Sequence, residues 1–126
     1  MKLYLLIAFA GAAGAVSRYA VNVALMNWLG RGFPWGTLTV NLIGSALMGF
    51  LAIWLAERWH WPLEYRMAVL TGFLGAFTTM SAFAVDALAL FERQQWWTMT
   101  FYVLASVAGA IVCLRAGMLL AERLTA

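Results

Sequence analysis

Asn41, Thr78, Thr79, Ser81 and Ser106 are the residues whose types and spacing could act on a ligand. Their amide and hydroxyl groups donate hydrogen bonds without carrying a charge. At about 1.5 Å of helical rise per residue, Thr78, Thr79, Ser81 and Ser106 fall near the middle of two long apolar stretches, and Asn41 a turn or so inside a third. Hydrocarbon offers no replacement hydrogen bonds, so an amide and four hydroxyls at related depths point to a polar path. The plainer reading of any one Ser or Thr is a bond back to the preceding helical turn. If a second copy lies antiparallel, its Asn41 approaches the same group from the other side.

Two further features belong to this chemistry. Arg18 and Asp86 should emerge toward the same side of the membrane, where an unpaired charge is costly. They are expected to pair or to share a wet vestibule in which Arg18 concentrates an entering anion. Gly72 and Gly75 precede the hydroxyls with no proline nearby, and glycine lets a chain leave the helix and expose carbonyls. A short unwound segment is therefore expected near residues 75–79; close helix packing is the other use of such glycines.

The elements that must position these groups are membrane helices. Apolar residues make up 65% of the 126 and charged residues only 10%, against about 25% charged in ordinary soluble domains. Apolar stretches run over residues 3–25, 37–56, 67–91 and 97–121, each near the ~20 residues that cross the hydrocarbon. All 126 residues thus read as a single four-helix, all-α integral membrane domain. Pro34 and Pro62 fall between spans, and Trp28, Trp35, Trp54, Trp59, Trp61, Trp96 and Trp97 cluster near span ends as interfacial anchors. The start, from Met1 to Ala15, resembles a signal peptide in its charge, apolar run and small residues, and fits a first span as well.

Charge says little about orientation. Lys2, Arg58, Arg66, Arg115 and Arg123 fall on the side of the two termini, and Arg18, Arg31 and Arg93 on the other. That near balance allows insertion both ways round and antiparallel pairing. Four helices are few to enclose a hydrophilic path, so an oligomer is expected, with Gly11/Ala15, Ser45/Gly49 and Ala105/Gly109 offering close contacts. Scattered basic residues, net +3, exclude the charged stripe that tracks nucleic acid. The single histidine, His60, in a loop and the single cysteine, Cys113, in a span give no nucleophile and base, metal cluster or disulfide framework, so no enzyme is expected.

Nearly the whole chain resembles the Fluc/CrcB family of fluoride channels. The likeness rests on Gly11 to Tyr19 in the first span, Gly36 to Gly44 in the second, and Gly-Phe-Leu-Gly-Ala-Phe-Thr-Thr-Met-Ser-Ala-Phe from Gly72 to Phe83. It implies an antiparallel, dual-topology homodimer with two pores, exporting fluoride from the bacterial cytoplasm across the inner membrane. It also implies a structural sodium ion at the dimer interface, held by carbonyls of Gly75 and Thr78. By motif position the pore residues are Asn41, Thr79, Ser81, Phe83 and Ser106, with Tyr102 one turn before Ser106. Uncharged donors and positive ring edges suit a small, strongly hydrated anion that a fixed charge would trap.

Where that family usually reads Thr-Thr-Phe-Ser-Thr-Phe, Met80 stands for the first pore phenylalanine and Ala82 for a threonine. Met80 fills the space with a polarizable thioether but lacks the ring edge. Ala110 stands where a serine is often found. Retained fluoride selectivity with altered throughput is expected. Two other classes are a small dual-topology multidrug exporter, which needs a carboxylate in its first helix where this chain has only Arg18, and a non-transporting assembly subunit, which needs no polar track.

Overall fold

In the computed structural model, which describes residues 1–125, helix α1 spans Lys2–Leu29 and α2 spans Trp35–Glu57. The third span, Leu63–Glu92, is built in pieces. It consists of α3 (Leu63–Met67), a π-helical turn (Ala68–Leu74), α4 (Gly75–Phe77) and α5 (Met80–Glu92). Helix α6 (Trp96–Thr125) completes four helices long and apolar enough to cross a membrane, and the described residues contain no strand.

The ends of these helices follow from local chemistry. Gly30 ends α1 by adopting φ 84°, a left-handed value that favours glycine, while its amide still bonds the Met26 carbonyl at 3.0 Å. Pro34, with φ −78° and ψ 62°, stands between Phe33 and Trp35 as the centre of an inverse γ-turn closed by a 2.9 Å bond from the Trp35 amide to the Phe33 carbonyl. At the other end of α2 the chain folds back, the Trp59 and Trp61 amides reaching the carbonyls of Trp54 and Leu55. Trp54, Trp59, Trp61 and Tyr65 meet in succession there, edge-on or tilted, with ring centroids 5.4–6.3 Å apart, as an interfacial belt should.

Glycines decide which helices meet. The most extensive packing joins α2 to α6, because Gly49 and Gly117 face the opposing backbone. A Cβ at Gly49 would fall on the Leu114 carbonyl, and one at Gly117 on the Ala46 carbonyl. The first half of the third span packs on α1, with Gly14 against the Phe73 backbone and Gly72 against Ile7 and Ala10. Beyond the break, α5 leaves α1 and lies on α6, with a lesser contact to α2. Phe9, Val16, Phe101, Leu104, Ile111 and Val112 stay exposed, which in a bilayer places them against lipid chains.

Two expectations are corrected here. The unwound segment is narrower than residues 75–79: Gly75 is helical at φ −62°, ψ −35°, and only Thr78 and Thr79 are extended. Gly72, read as a helix breaker or a packing residue, is the latter. Arg18 and Asp86 do not pair, since the ion pairs among the described residues are Lys2 with Glu64 and Arg115 with Glu122.

Candidate pore and its lining

Thr78 and Thr79 interrupt the third span because another element takes over their hydrogen bonds. In a continuous helix the Thr79 amide would bond the Gly75 carbonyl. It donates instead to Asn41 Oδ1 at 2.7 Å, while Asn41 Nδ2 donates to the Thr79 carbonyl at 2.9 Å. One side chain on α2 thus clamps both polar groups of a residue 38 positions away. Thr79 then caps the second half of the span, its Oγ1 accepting from the Ala82 amide at 3.1 Å. Space for the clamp comes from Gly44, where a Cβ would fall on Thr78 Cγ2.

This arrangement frees carbonyls. The amides that would close onto Gly75 and Thr78 in an unbroken helix, those of Thr79 and Ala82, are committed to Asn41 and to the Thr79 hydroxyl. Both carbonyls therefore keep acceptor capacity at mid-membrane, and Gly75 is exposed on the single chain. Oxygen dipoles without a donor suit a hard monovalent cation.

A hollow of about 390 Å³ opens beside the clamp, and Asn41, Thr78, Thr79, Met80, Phe83 and Ser106 all line it. Five residues proposed for a pore, together with Thr78, therefore share one cavity wall. Their hydroxyls differ in what they are free to do. Thr78 Oγ1 bonds back to the Leu74 carbonyl at 3.0 Å, the plain helical habit. Ser106 Oγ is buried with no partner among the described residues, so it retains a hydrogen bond to give. Asn41 Nδ2 has a second N–H beyond the one spent on Thr79.

Other expected residues sit differently. Ser81 is exposed and lies outside the hollow's lining, although its hydroxyl is 3.3 Å from that of Thr79. Met80 lines the hollow but is 73% exposed, so much of it faces outward from the single chain. Asn41 reaches Thr79 of its own chain, where the break turns that backbone toward α2.

A second hollow, about 420 Å³, lies toward the loop between α1 and α2. Asp86, Thr37, Asn22, Arg31 and Arg93 line it, and Arg18 does not. The vestibule expected around Arg18 and Asp86 thus holds Asp86, but its basic side chains are Arg31 and Arg93. Neither is engaged in an ion pair with the described residues. Sequence reading passed over Arg31, Arg93 and Thr37 because only the tertiary path of α5 brings them around one space.

Tyr102, also expected in the pore, lines neither hollow but contacts a residue of each. It is 0% exposed, and its hydroxyl donates to Asp86 Oδ2 at 3.3 Å. Its ring lies 5.3 Å from that of Phe83. Asp86 belongs to one hollow and Phe83 to the other.

Four spans, one broken by a side-chain clamp, with uncharged donors along a shared wall, define a multi-pass membrane protein with a polar site among its helices. The family model of CrcB-like protein, Camphor Resistance (CrcB), matches residues 5–118, and the chain belongs to this family. It is 48% identical over 118 residues to the "Fluoride-specific ion channel FluC" of Methylococcus capsulatus, covering 94% of this chain and 52% of that one. The chain thus spans about half the length of that relative. The protein of the same name from Agrobacterium fabrum is 45% identical over 119 residues, covering 94% and 95%, and that from Phenylobacterium zucineum is 43% identical over the full length of both. Membership of a channel family agrees with the expectation that the chain is not an enzyme.

Proposed function

We propose that the protein is a fluoride-selective passive channel that lets fluoride leave the cytoplasm across the inner membrane of a bacterium. The observation that carries this reading is the Asn41 clamp on Thr79, which aligns uncharged donors on one hollow at mid-membrane. The relatives named as fluoride-specific channels supply the identity of the anion. Uncharged donors replace part of the hydration shell without holding the ion too tightly to leave. A multidrug exporter would need a carboxylate in α1, which has none.

The working unit in this reading is an antiparallel homodimer with two pores. Met80, Ser81 and Gly75 are exposed beside the break, and a hydroxyl and free carbonyls left against hydrocarbon call for a covering surface. A second copy provides one. A structural sodium ion between the copies, held by carbonyls of Gly75 and Thr78, fits the acceptors freed by the clamp. When bound it would add positive field near the pores and tie the subunits together.

Fluoride efflux from proteoliposomes, followed by an electrode, tests the reading. Rapid fluoride release with chloride retained is expected; equal chloride and fluoride flux would refute it. Replacing Met80 with Phe is expected to change fluoride throughput severalfold while chloride stays excluded, because the ring adds an electropositive edge but no charge. Purification and assay without sodium on either side is expected to lower fluoride flux at least tenfold, with recovery on adding sodium back. Full flux in sodium-free medium would remove the cation from the reading.

A further inference from the structure

We infer that Phe33, held by the Phe33–Pro34–Trp35 turn, is a positioning residue that fixes Tyr102 across the passage between the two hollows. The inference rests on the channel reading, and it concerns a loop residue that no pore motif includes.

Tyr102 is the natural closure of that passage. It lines neither hollow, yet its hydroxyl bonds Asp86, on the wall of the loop-side hollow, and its ring packs on Phe83, on the wall of the mid-membrane one. An anion moving from one hollow to the other must pass the edge or hydroxyl of this ring, so the ring's orientation sets both the width and the donor offered.

The 3.3 Å bond to Asp86 is long for an O–H donor, and with Thr37 and Ser106 also near the hydroxyl these partners hold the tip of the ring, not its rotation about the axis through that tip. Within a buried cluster that also holds Leu38 and Leu90, two rings limit that rotation. Phe83 lies against Tyr102 at 5.3 Å and 37°, and Phe33 meets it edge-on from the other side at 5.6 Å and 89°. The second contact has the T-shaped geometry that aromatic pairs favour.

Phe33 is itself well held. Pro34 restricts φ, the Trp35 amide bonds back to the Phe33 carbonyl at 2.9 Å, and the Trp35 and Phe101 rings flank Phe33 at 4.5 and 6.0 Å. A loop residue beside Gly32 and the left-handed Gly30 would otherwise be a poor anchor. The γ-turn makes it a wedge seated in the vestibule wall, where it also lines the loop-side hollow.

The test compares Phe33→Leu, Phe33→Tyr and Pro34→Ala with the parent. The readouts are the chloride-to-fluoride flux ratio in proteoliposomes and the 19F spectrum of protein labelled with 3-fluorotyrosine, the Tyr102 signal being assigned by Tyr102→Phe. Phe33→Leu keeps apolar volume but loses the ring edge, and should raise the ratio at least fivefold and split or broaden the Tyr102 resonance. Phe33→Tyr should restore both, and Pro34→Ala should fall between. A parent that conducts selectively, with Phe33→Leu leaving ratio and resonance unchanged, overturns the inference. A broadened resonance with an unchanged ratio also overturns it, since the ring would then not set passage. A parent without fluoride flux would instead refute the channel reading.

Discussion

Replacing Asn41 with Asp should abolish most fluoride flux and lower stability more than any other single change in the polar wall. The carboxylate can still accept from the Thr79 amide, but it turns an acceptor toward the Thr79 carbonyl where Nδ2 had donated at 2.9 Å. It also places a charge at mid-membrane. A lost buried donor and an intramembrane carboxylate together cost about 3 kcal/mol. That corresponds to roughly a hundredfold fall in the population with the break intact, and flux should fall by the same order. The checks are electrode-monitored efflux and thermal unfolding in detergent. Asn41→Leu should also fail, leaving the Thr79 amide without an acceptor. Near-parental flux from a folded Asn41→Asp protein would show that the clamp does not hold the pore wall.

The seam between α2 and α6 should be the most sensitive part of the scaffold. Gly49 and Gly117 face carbonyls of the opposing helix in a reciprocal pair, Gly49 against Leu114 and Gly117 against Ala46. Backbone cannot swing aside as a side chain does, so even Ala at either site must separate the helices. Overpacking of this kind costs about 1–3 kcal/mol per site, and Gly117→Leu should leave little folded protein. Gly11→Ala provides the control. Its nearest neighbour would be the Gly72 carbonyl oxygen at 3.6 Å, ordinary contact, so stability should change by no more than about 0.5 kcal/mol. Equal melting temperatures for Gly11→Ala and Gly117→Ala would refute this account.

That contrast marks a limit of sequence reading. Gly11, Gly49 and Gly109 all stood in small-residue pairs with the same spacing, yet they differ in what they meet. Gly49 meets backbone too closely for a Cβ, Gly109 faces the flexible Leu42 side chain, and Gly11 faces backbone at ordinary contact distance. Spacing along one helix cannot rank them, because the clash depends on the partner's axis. The π-helical turn at Ala68–Leu74 was invisible for a related reason. It has no residue signature of its own, and it lies where the span packs on α1.

The hydroxyls divide in the same way. Sequence depth brought Thr78, Thr79, Ser81 and Ser106 to one level, because helical rise per residue is nearly constant. Their roles depended on neighbours: Thr78 bonds its own helix, Thr79 caps the next one, and Ser106 is left with a free group. Arg18 and Asp86 were likewise placed on one side by depth, yet the charges around Asp86 came from Arg31 and Arg93.

By itself the sequence determined that this chain is a four-span membrane protein, where its polar groups sit along the membrane normal, and which family it belongs to. Those properties are written along the chain, in apolar length and local motif. Only the tertiary structure decided the lateral order: that Asn41 clamps Thr79, that the break is two residues wide, and that Phe33 reaches Tyr102. Lateral order depends on helix rotation and close approach, which are set by pairs of residues far apart in the chain.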